Sequence, residues 1–552
     1  MNNLNLRQIT VWFLSLALSS SVFAQPASKE LQQKTIEAIK KVYPASVRLW
    51  GFDVTKNERN SAQFSGVVVT KDGVILTAAH TVSPGQTYKV FFPDGRTAMA
   101  KALGRIDLAE SRGIPDVGML QLMENGPFPF AELGNSSNLI QTAPCISISY
   151  PEKLNQELPT IRFGQIVDPK NQYGFIQSSC KMEPGDSGGP LFDIDGKVIG
   201  IHSAIDVSET MNFEVPIDVF RKYWTALHEE KNYAVYPAAD SLTVNAGAIA
   251  SPSLSRSFLK HSKLANNVVL VQSMVDDKKT TAEATLLNFK DARGKKSQWM
   301  IGKSSLLTGS LTMVNSKGSK IEVVYRDPEN DLVLLKSVEK QQGGFKIEAG
   351  QSVIPNIGTF VTSLFHDGKQ EHSIVGGTNI TLPKSSSIPY LGIAVLYKST
   401  PATVSVIKPG TPAARAGIKA GDSILSINGI ILHQASDFTP TLAKFWAGEQ
   451  VQVVWRSAGK QHEQQIPLID RAFVPSNHPV DKFAGGNSTR RDGFPAVFVH
   501  DAIILPTQCG APIVDIHGNL LGITIARYSR AVALGLPTPV IISFLEKATS
   551  IR

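Results

Sequence analysis

Short apolar runs separated by turn-forming residues dominate residues 34–227. Clear examples lie at residues 67–69, 74–76 and 198–201, and each is flanked by Gly, Asp or Lys. Long helical patterns do not alternate with these runs. The pattern therefore predicts many short strands in an all-β barrel or sandwich.

The amino terminus has a different pattern. Arg7 is followed by an apolar stretch at residues 11–18 and then by small residues at Val22 and Ala24. A basic residue, a short apolar core and small residues at the end are typical of a cleavable signal peptide. The core is shorter than the roughly 20 residues that a membrane span needs. We expect a signal peptide at residues 1–24, a mature chain beginning near Gln25 without a transmembrane anchor, and export, with the periplasm favoured over the medium.

Composition narrows the possible functions. The 552 residues suggest three or four domains at about 150 residues each. The net charge of +8 is spread along the chain, without a long basic run that would indicate nucleic-acid binding. No CxxC or HExxH spacing points to zinc, and we expect neither a metal nor an organic cofactor. Of the three cysteines, Cys145 and Cys180 either pair in an oxidising compartment or remain two buried thiols.

Three motifs in the first region carry candidate chemistry. They contain His80 (in Thr-Ala-Ala-His), Asp116 (in Asp-Val-Gly-Met-Leu) and Ser187 (in Gly-Asp-Ser-Gly-Gly-Pro). A serine hydroxyl needs an imidazole to accept its proton, and a carboxylate fixes the imidazole tautomer. The glycines allow the backbone amides of Gly185 and Ser187 to point at one oxyanion. The order His, Asp, Ser therefore predicts a serine-protease site.

These residues resemble the trypsin-like superfamily, and specifically the HtrA-type proteases of bacterial envelopes. The resemblance covers residues 34–227 and implies that His80 is the general base, Asp116 the orienting acid and Ser187 the nucleophile. Asp107 is a competing acid, but it precedes the apolar run that should follow the triad aspartate. Asp186 departs from the HtrA pattern, which usually has Asn there.

The substrate pocket is predicted beside the strand at residues 198–204. His202 stands where glutamyl endopeptidases, which share the superfamily, carry a histidine that binds acidic side chains. Lys181 would fall near the base of the pocket, and Ser203 on its wall. The hypothesis is cleavage after Glu or Asp. The alternative is that His202 packs in the barrel, Lys181 faces solvent and the preference is for small apolar residues, as in HtrA relatives.

The nucleophile region has a second copy. Residues 185–201 match residues 507–523, and Asp331 begins a run that matches the one at Asp116. The repeat predicts a second trypsin-like barrel from about residue 266 to the end. It lacks an imidazole where His80 would be, and Cys509 stands at the nucleophile position. We expect a degenerate barrel; the alternative is a cysteine nucleophile using a distant base such as His500.

An insertion interrupts this second copy. Asp116 and Ser187 are 71 positions apart, whereas Asp331 and Cys509 are 178 positions apart. The additional segment includes Tyr-Leu-Gly-Ile-Ala-Val from Tyr390 and a Gly-rich string at residues 410–429 that resembles the PDZ domain of HtrA proteases. The resemblance implies that the backbone amides of Leu391, Gly392 and Ile393 bind a peptide carboxylate, and that Ile393 and Val395 line the side-chain pocket. The alternative is a closed PDZ domain that acts only as a spacer.

The predicted fold class is mainly β, with two trypsin-like double β-barrel domains, the second degenerate and interrupted by a PDZ domain. The expected segments are a protease domain (25–227), a linker (228–262), the first part of the degenerate domain (263–385), the PDZ domain (386–470) and its second part (471–552). The predicted function is an exported serine endopeptidase acting on envelope or extracellular proteins, with peptide C-termini bound by the PDZ domain. Its expected partners are protein substrates, not nucleic acid, with homo-oligomerisation left open. The alternatives are an envelope chaperone or PDZ adaptor with vestigial proteolysis, and a secreted protease acting on host proteins.

Overall fold

The computed structural model describes residues 24–108, 115–241, 262–275, 278–314, 320–471 and 476–550. The predicted signal peptide lies outside these residues except for Ala24, and so does most of the predicted linker. The described chain opens with helix α1 (Ala24–Val42), whose buried residues Leu31, Thr35, Ala38, Ile39 and Val42 follow a helical period.

The first closed barrel is built from β1 (Ser46–Asp53), β3 (Phe64–Val68), β4 (Val74–Thr77), β5 (Thr87–Phe91), β6 (Thr97–Asp107) and β7 (Asp116–Leu122), with β2 (Glu58–Arg59) paired to β1. The order β6-β5-β1-β3-β4-β7 closes because β6 also pairs with β7. Alternation along β6 between buried and half-buried residues matches the two faces of a barrel strand.

The second closed barrel follows directly. Its strands are β8 (Pro144–Ser149), β9 (Thr160–Asp168), β10 (Ile176–Ser178), β11 (Pro190–Phe192), β12 (Val198–Ile205) and β13 (Asn212–Pro216). They close in the order β10-β13-β12-β11-β8-β9. Helices α2 (Ile217–Lys222) and α3 (Trp224–Leu227) come next, and β14 (Asn232–Tyr233) then returns to pair with β6 in parallel. The beginning of the predicted linker is thus attached to the first barrel.

The second unit repeats this plan with a seven-stranded sheet followed by a closed barrel. The strands β15 (Val268–Val275), β16 (Lys278–Lys290), β17 (Lys296–Lys303), β18 (Ser310–Met313), β19 (Ile321–Asp327), β20 (Leu332–Ser337) and β21 (Phe345–Glu348) form one sheet. The strands β22 (Phe360–Leu364), β23 (Gln370–Leu382), β30 (Phe494–His500), β31 (Pro512–Asp515), β32 (Leu520–Arg527) and β33 (Ala533–Pro537) close a barrel, and helix α6 (Thr538–Ser550) ends the described chain.

The inserted sheet lies between β23 and β30 in the chain. It comprises β24 (Ile393–Val395), β25 (Ala402–Ile407), β26 (Ser423–Ile427), β27 (Ile430–Ile431), β28 (Gln450–Ser457) and β29 (Lys460–Pro467), with the short helices α4 (Pro412–Arg415) and α5 (Phe438–Leu442). Its own apolar core includes Leu391, Ile424, Phe438 and Trp455. The predicted fold class, two double-barrel units with the second interrupted, is confirmed.

The two double-barrel units share an apolar core where β9 faces β23. Phe163 of the first unit and Phe360 of the second lie with ring centroids 4.8 Å apart. A Cβ on Gly376 would lie 2.2 Å from the carbonyl oxygen of Ile161, so only glycine allows this approach of the two backbones. Among the helices in the described residues, none is both long and apolar enough to cross a membrane.

Candidate active site

The strand pairing of the first barrel brings His80 to Asp116. His80 lies on a short 3₁₀ helix, Ala79–Thr81, directly after β4, and β4 pairs with β7, which begins at Asp116. The His80 Nδ1 and Asp116 Oδ2 atoms are 2.9 Å apart, and the His80 amide donates to Asp116 Oδ1 at 3.1 Å. Asp107 lies opposite Asp116 on the neighbouring strand β6. The imidazole thus bonds to Asp116 and not to the competing acid.

The electrostatics of the pair favour an ionised carboxylate beside the imidazole. Burial opposes protonation of His80, but the hydrogen bond and the charge of Asp116 outweigh it, so the pKa of His80 is raised above its usual value. Burial also opposes ionisation of Asp116. The bonds from His80 and from Ser203 overcome that opposition and lower the pKa of the Asp116 carboxyl.

Ser203 has a role that its predicted place on the pocket wall did not reveal. Its hydroxyl donates to Asp116 Oδ2 at 2.6 Å, so the carboxylate oxygen that contacts the imidazole is also held from β12. This bond joins the first closed barrel to the second across the site. A serine in a strand gives no sequence signal for such a bond, because the pairing depends on how the two barrels meet.

The glycine-rich turn holds Ser187 between the barrels. Gly185 and Gly188 have φ values of 97° and 82°, in the region that favours glycine. A Cβ on Gly188 would lie 1.9 Å from Thr77 Oγ1, so the turn packs directly against the end of β4. The Ser187 carbonyl accepts the Ser65 amide at 2.9 Å, and the Ser65 hydroxyl donates to the Gly185 carbonyl at 2.8 Å.

Two amides of this turn are available to a ligand. Within the described residues, the N–H groups of Gly185 and Ser187 donate to no protein acceptor. The Pro184 carbonyl accepts the Glu152 amide at 2.8 Å, which fixes the orientation of the peptide group that carries the Gly185 N–H. Two free, oriented amides on one turn are what an oxyanion requires.

His80 and Ser187 line a single cavity of about 560 Å³. Gly185, Ser203, Ala204, Ile205 and Met182 contribute to its wall, and His478, from the segment between β29 and β30, reaches it from the second unit. His478 was not anticipated, because nothing in the sequence indicates that this distant segment returns to the nucleophile.

The other two residues predicted for the pocket lie elsewhere. The Lys181 ammonium group is buried and donates to the Asp501 carbonyl of the second unit at 2.6 Å. His202 is fully buried, with its Nε2 atom 2.6 Å from the Ser147 hydroxyl, and burial together with the charge of Arg162 lowers its pKa to about 3. Neither lines the cavity. The positive charge that the acidic-specificity hypothesis requires is therefore not supplied there by these two side chains.

Asp186, next to the nucleophile, is paired inside the protein. Its Oδ2 atom lies 2.8 Å from Arg162 Nη1, and both side chains are completely buried. Its Oδ1 atom accepts the Ser149 hydroxyl at 2.8 Å, and its Oδ2 atom accepts the Glu183 amide at 2.9 Å. This network ties the turn before Ser187 to β8 and β9.

The second unit carries a counterpart of the site without a base. Ser305 stands where His80 stands in the first: its amide donates to Asp331 Oδ1 at 2.7 Å and its hydroxyl to Oδ2 at 2.8 Å. The Lys303 ammonium group lies 2.6 Å from the same carboxylate. Asp331 thus keeps its place while its imidazole partner is absent.

Cys509 of the second unit is completely buried. Burial raises the pKa of its thiol, although the charge of Lys303 acts in the opposite direction. The Ser488 hydroxyl lies 3.6 Å from Cys509 Sγ. His500 instead faces Ser373, 3.4 Å away, and burial lowers its pKa to about 3. The arrangement does not activate this thiol.

Cys145 and Cys180 of the first unit are adjacent free thiols, with their Sγ atoms 3.8 Å apart.

The inserted domain presents a groove beside an edge strand. β24 ends its sheet and faces α5, and Ile393, Ala394, Val395, Phe438 and Leu442 line a cavity of about 820 Å³ there. Leu391 and Gly392 precede β24 and do not line it. Within the described residues, no group of three His, Cys, Asp or Glu side chains could hold a metal ion.

The chain is similar to known proteases in these two regions. Residues 64–201 match the trypsin-like peptidase domain family, and residues 389–468 match the PDZ domain family. The chain is 30% identical to serine protease HTRA1 of Xenopus laevis over 206 residues, which are 36% of this chain and 43% of that protein. It is 33% identical to putative serine protease HhoA of Synechocystis over 180 residues, 30% of this chain and 43% of that protein.

A longer match reaches beyond the first unit. The chain is 24% identical over 417 residues to a probable periplasmic serine endoprotease, DegP-like, of Hahella chejuensis, which covers 71% of this chain and 77% of that protein. The chain spans less than half the length of the HTRA1 and HhoA relatives. With one region similar to the trypsin-like peptidase domain and another similar to the PDZ domain, the chain resembles HtrA-type serine proteases.

Proposed function

We propose that this protein is an exported serine endopeptidase in which Ser187 is the nucleophile, His80 the general base and Asp116 the orienting acid. The observation that carries the proposal is the 2.9 Å contact between His80 Nδ1 and Asp116 Oδ2, with His80 and Ser187 on the wall of one cavity. The contact leaves the Nε2 atom of His80 as the nitrogen that takes the serine proton.

The reaction follows from this arrangement. Ser187 Oγ attacks the carbonyl carbon of the scissile peptide bond while His80 Nε2 accepts the hydroxyl proton. The amides of Gly185 and Ser187 stabilise the resulting oxyanion. Collapse expels the amine, which takes the proton from His80, and leaves an acyl-enzyme. A water molecule then gives a proton to His80 and attacks the ester carbonyl. As the bond from the carbonyl carbon to Ser187 Oγ breaks, His80 returns the proton to Oγ, and the acid leaves.

The cavity wall supports a preference for small, uncharged side chains before the scissile bond. Ala204, Ile205 and Met182 line it, whereas Lys181 and His202 do not. An acidic side chain buried there would lack a cationic partner from these two residues, and burial of an unpaired charge is costly. Cleavage after Val or Ala is therefore favoured over cleavage after Glu or Asp.

The groove beside β24 supports peptide binding. The Gly392 carbonyl accepts the Lys408 amide at 2.8 Å and the Leu396 amide donates to the Thr403 carbonyl at 2.7 Å, both towards β25. Because strand residues alternate, the backbone groups of Ile393 and Val395 face the open edge, where a peptide adds as a strand. The substrates proposed are unfolded or damaged envelope proteins. The periplasm is the proposed compartment, since the DegP-like relative is named as periplasmic.

A fluorophosphonate probe, which reacts with an activated serine, tests the function. We expect labelling of the wild-type protein, loss of labelling and of peptide hydrolysis in Ser187→Ala, and unchanged labelling in Cys509→Ala. The structure favours one other function, an envelope chaperone or adaptor, through the open peptide groove and the baseless site at Asp331. Absence of labelling, together with suppression of the aggregation of an unfolded protein, would replace the protease by that function.

A further inference from the structure

A loop beside the proposed active site is held by the second unit. We call residues 206–211, which connect β12 to β13, the wall loop. β12 supplies Ser203, Ala204 and Ile205 to the cavity that contains Ser187. Both ends of the wall loop, Asp206 and Met211, line a neighbouring cavity of about 560 Å³ that includes His80 and Asp116.

Arg530, in the turn between β32 and β33, binds the backbone of this loop. Its side chain is among the largest that are fully buried, with 1% exposure. Its Nη1 group donates to the Asp206 carbonyl, and its Nη2 group donates to the Ser208 carbonyl at 2.5 Å. The Val207 carbonyl and Asn212 Oδ1 each lie 3.5 Å from the same guanidinium.

Arg527 provides a second attachment. Its guanidinium pairs with the Glu209 carboxylate of the wall loop, and its Nη1 group donates to the Ile504 carbonyl of its own unit at 2.5 Å. Arg527 is 2% exposed. The Arg527 guanidinium is thus bonded both to its own unit, through the Ile504 carbonyl, and to the wall loop, through the Glu209 carboxylate.

The loop also has contacts within the first unit, among them the Asn212 side chain, which donates to the Glu209 carbonyl at 2.8 Å. The Asp206 amide donates to Met211, the Met211 amide to Ser208, and the Gln177 side chain to the Thr210 carbonyl. Val207 is 47% exposed. Arg530 donates to the Asp206 carbonyl, and the Ser208 carbonyl accepts from both Arg530 and the Met211 amide. Loss of the guanidinium would therefore remove a charge-assisted hydrogen bond from each carbonyl.

We propose that Arg530, assisted by Arg527, is a positioning residue for the protease site: the degenerate unit braces the wall loop and so shapes the substrate-binding surface beside Ser187. The inference rests on the proposed function. A guanidinium suits this task because its planar array of donors binds several carbonyls at once, which a lysine ammonium group cannot reproduce in the same geometry.

A purely structural role, in which Arg530 only holds the two units together, does not account for its contacts with the wall loop. The two units are already joined by the apolar core that contains Phe163 and Phe360, and this contact does not involve Arg530. The contact between His80 and Asp116 does not involve Arg530, since it joins β7 to the 3₁₀ helix after β4. Removal of Arg530 should therefore alter substrate binding more than the reactivity of Ser187.

The test uses the full chain with Arg530→Ala, Arg530→Lys and the matched control Arg490→Ala. Arg490 is another buried arginine of the second unit, but it contacts Asp331 and Trp446 and not the protease unit. Three quantities are measured. They are the rate of hydrogen exchange across residues 205–212, the KM and kcat for peptides with Val or Ala directly before the scissile bond, and the rate of fluorophosphonate labelling of Ser187.

For Arg530→Ala we expect exchange in the wall loop to accelerate and KM to rise, each by about tenfold, with labelling of Ser187 changed by no more than about threefold. Arg530→Lys should recover part of both effects, and Arg490→Ala should resemble the wild type. Exchange and KM within about twofold of the wild type in Arg530→Ala would overturn the proposal. An equal loss of labelling and hydrolysis would also overturn it, because it would mean that the whole site had collapsed.

Two further outcomes remain distinguishable. A wild-type protein that neither labels nor hydrolyses peptides contradicts the proposed function, while the exchange measurement still decides whether Arg530 holds the loop. Should Arg530→Ala show no cooperative unfolding transition, Glu209→Gln removes the Arg527 pair from the first unit's side. That variant is expected to accelerate exchange in the wall loop, and unchanged exchange in it would count against the brace.

Discussion

Arg162 and Asp186 form an ion pair in which both side chains are fully buried, with 2.8 Å between Nη1 and Oδ2. Asp186 immediately precedes the nucleophile, and Arg162 lies on β9, the strand that packs against the second unit. The oxyanion turn is therefore anchored to the interior of the protein by a charge pair. Within the described residues, Arg162 Nε and Nη2 have no hydrogen-bond partner, and its Nη1 bonds to Asp186 and to the Ser149 hydroxyl at 3.2 Å.

Replacement of one partner should be costly. Asp186→Asn leaves the buried guanidinium without its bonded carboxylate, and we expect the free energy of unfolding to fall by about 3 kcal/mol or more. Chemical denaturation measures the change. Glu230→Gln, which breaks a half-exposed pair with Lys101, is the control and should cost less than about 1 kcal/mol. A loss in Asp186→Asn as small as in the control would show that the pair does not stabilise the turn.

The signals that predict the barrels and the proposed catalytic residues are local. A nucleophile motif, a histidine after a strand and an aspartate before one can be read from short segments, and the repeat predicts the second unit. The contacts of Lys181 and His202 could not be predicted from short segments in this way. His202 lies on the expected strand and Lys181 lies between β10 and β11, but Lys181 is bonded to Asp501 and His202 to Ser147. Which way a side chain points depended on the packing of strands and units that are distant in sequence.

Helix α1 was not predicted, although its sequence has the spacing of buried residues that is typical of an amphipathic helix. Leu31, Thr35, Ala38, Ile39 and Val42 recur at helical spacing, and all are buried. The contacts of Arg527 and Arg530 are the opposite case. No local pattern indicates that two arginines more than 300 positions away bind the wall loop, because only the docking of the two units creates that contact.

The proposed base should set the acidic limb of the pH profile. Asp116 raises the pKa of His80 above its usual value near 6.5, and only neutral His80 can accept the serine proton. kcat/KM should therefore fall as the pH is lowered through this raised pKa. Asp116→Asn should move the midpoint to lower pH and reduce kcat on the order of 10⁴-fold. Asp107→Asn, the control, should leave kcat nearly unchanged; a larger loss there would reassign the orienting acid.

Ser203 should support the carboxylate. Its hydroxyl donates to Asp116 Oδ2 at 2.6 Å, so Ser203→Ala removes one of the bonds that orient the acid. We expect kcat/KM to fall by about tenfold, the value of one hydrogen bond to a charged group. Ser203→Thr keeps the hydroxyl and should retain most of the activity if the added methyl group fits. Full activity in Ser203→Ala would mean that His80 alone orients Asp116.

The three cysteines should be unreactive in the folded protein. All are buried, and burial raises the pKa values of Cys145 and Cys509. Because the thiolate is the reactive form, iodoacetamide should modify none of them in the native state and all of them after denaturation. Mass spectrometry of tryptic peptides measures the modification. Rapid modification of Cys509 in the native protein would support the alternative that Cys509 is a nucleophile in the second unit.

The open edge of β24 leads to the last prediction. Gly392 and Leu396 bond towards β25, so the Val395 amide faces the groove, and a peptide that pairs with this edge needs that amide as a donor. Val395→Pro removes the donor without removing a bond to β25, and we expect binding of a peptide with an apolar C-terminus to weaken by about tenfold or more in calorimetry. Tyr397→Ala is the matched control because Tyr397 is 88% exposed and does not line the cavity.

Since proline can also disturb the strand, the wild-type protein is titrated in parallel with the same peptide amidated at its C-terminus, which should bind more weakly because the carboxylate is lost. Equal affinity for the two peptides and for Val395→Pro would mean that the groove does not capture C-termini, and the inserted domain would then act as a spacer.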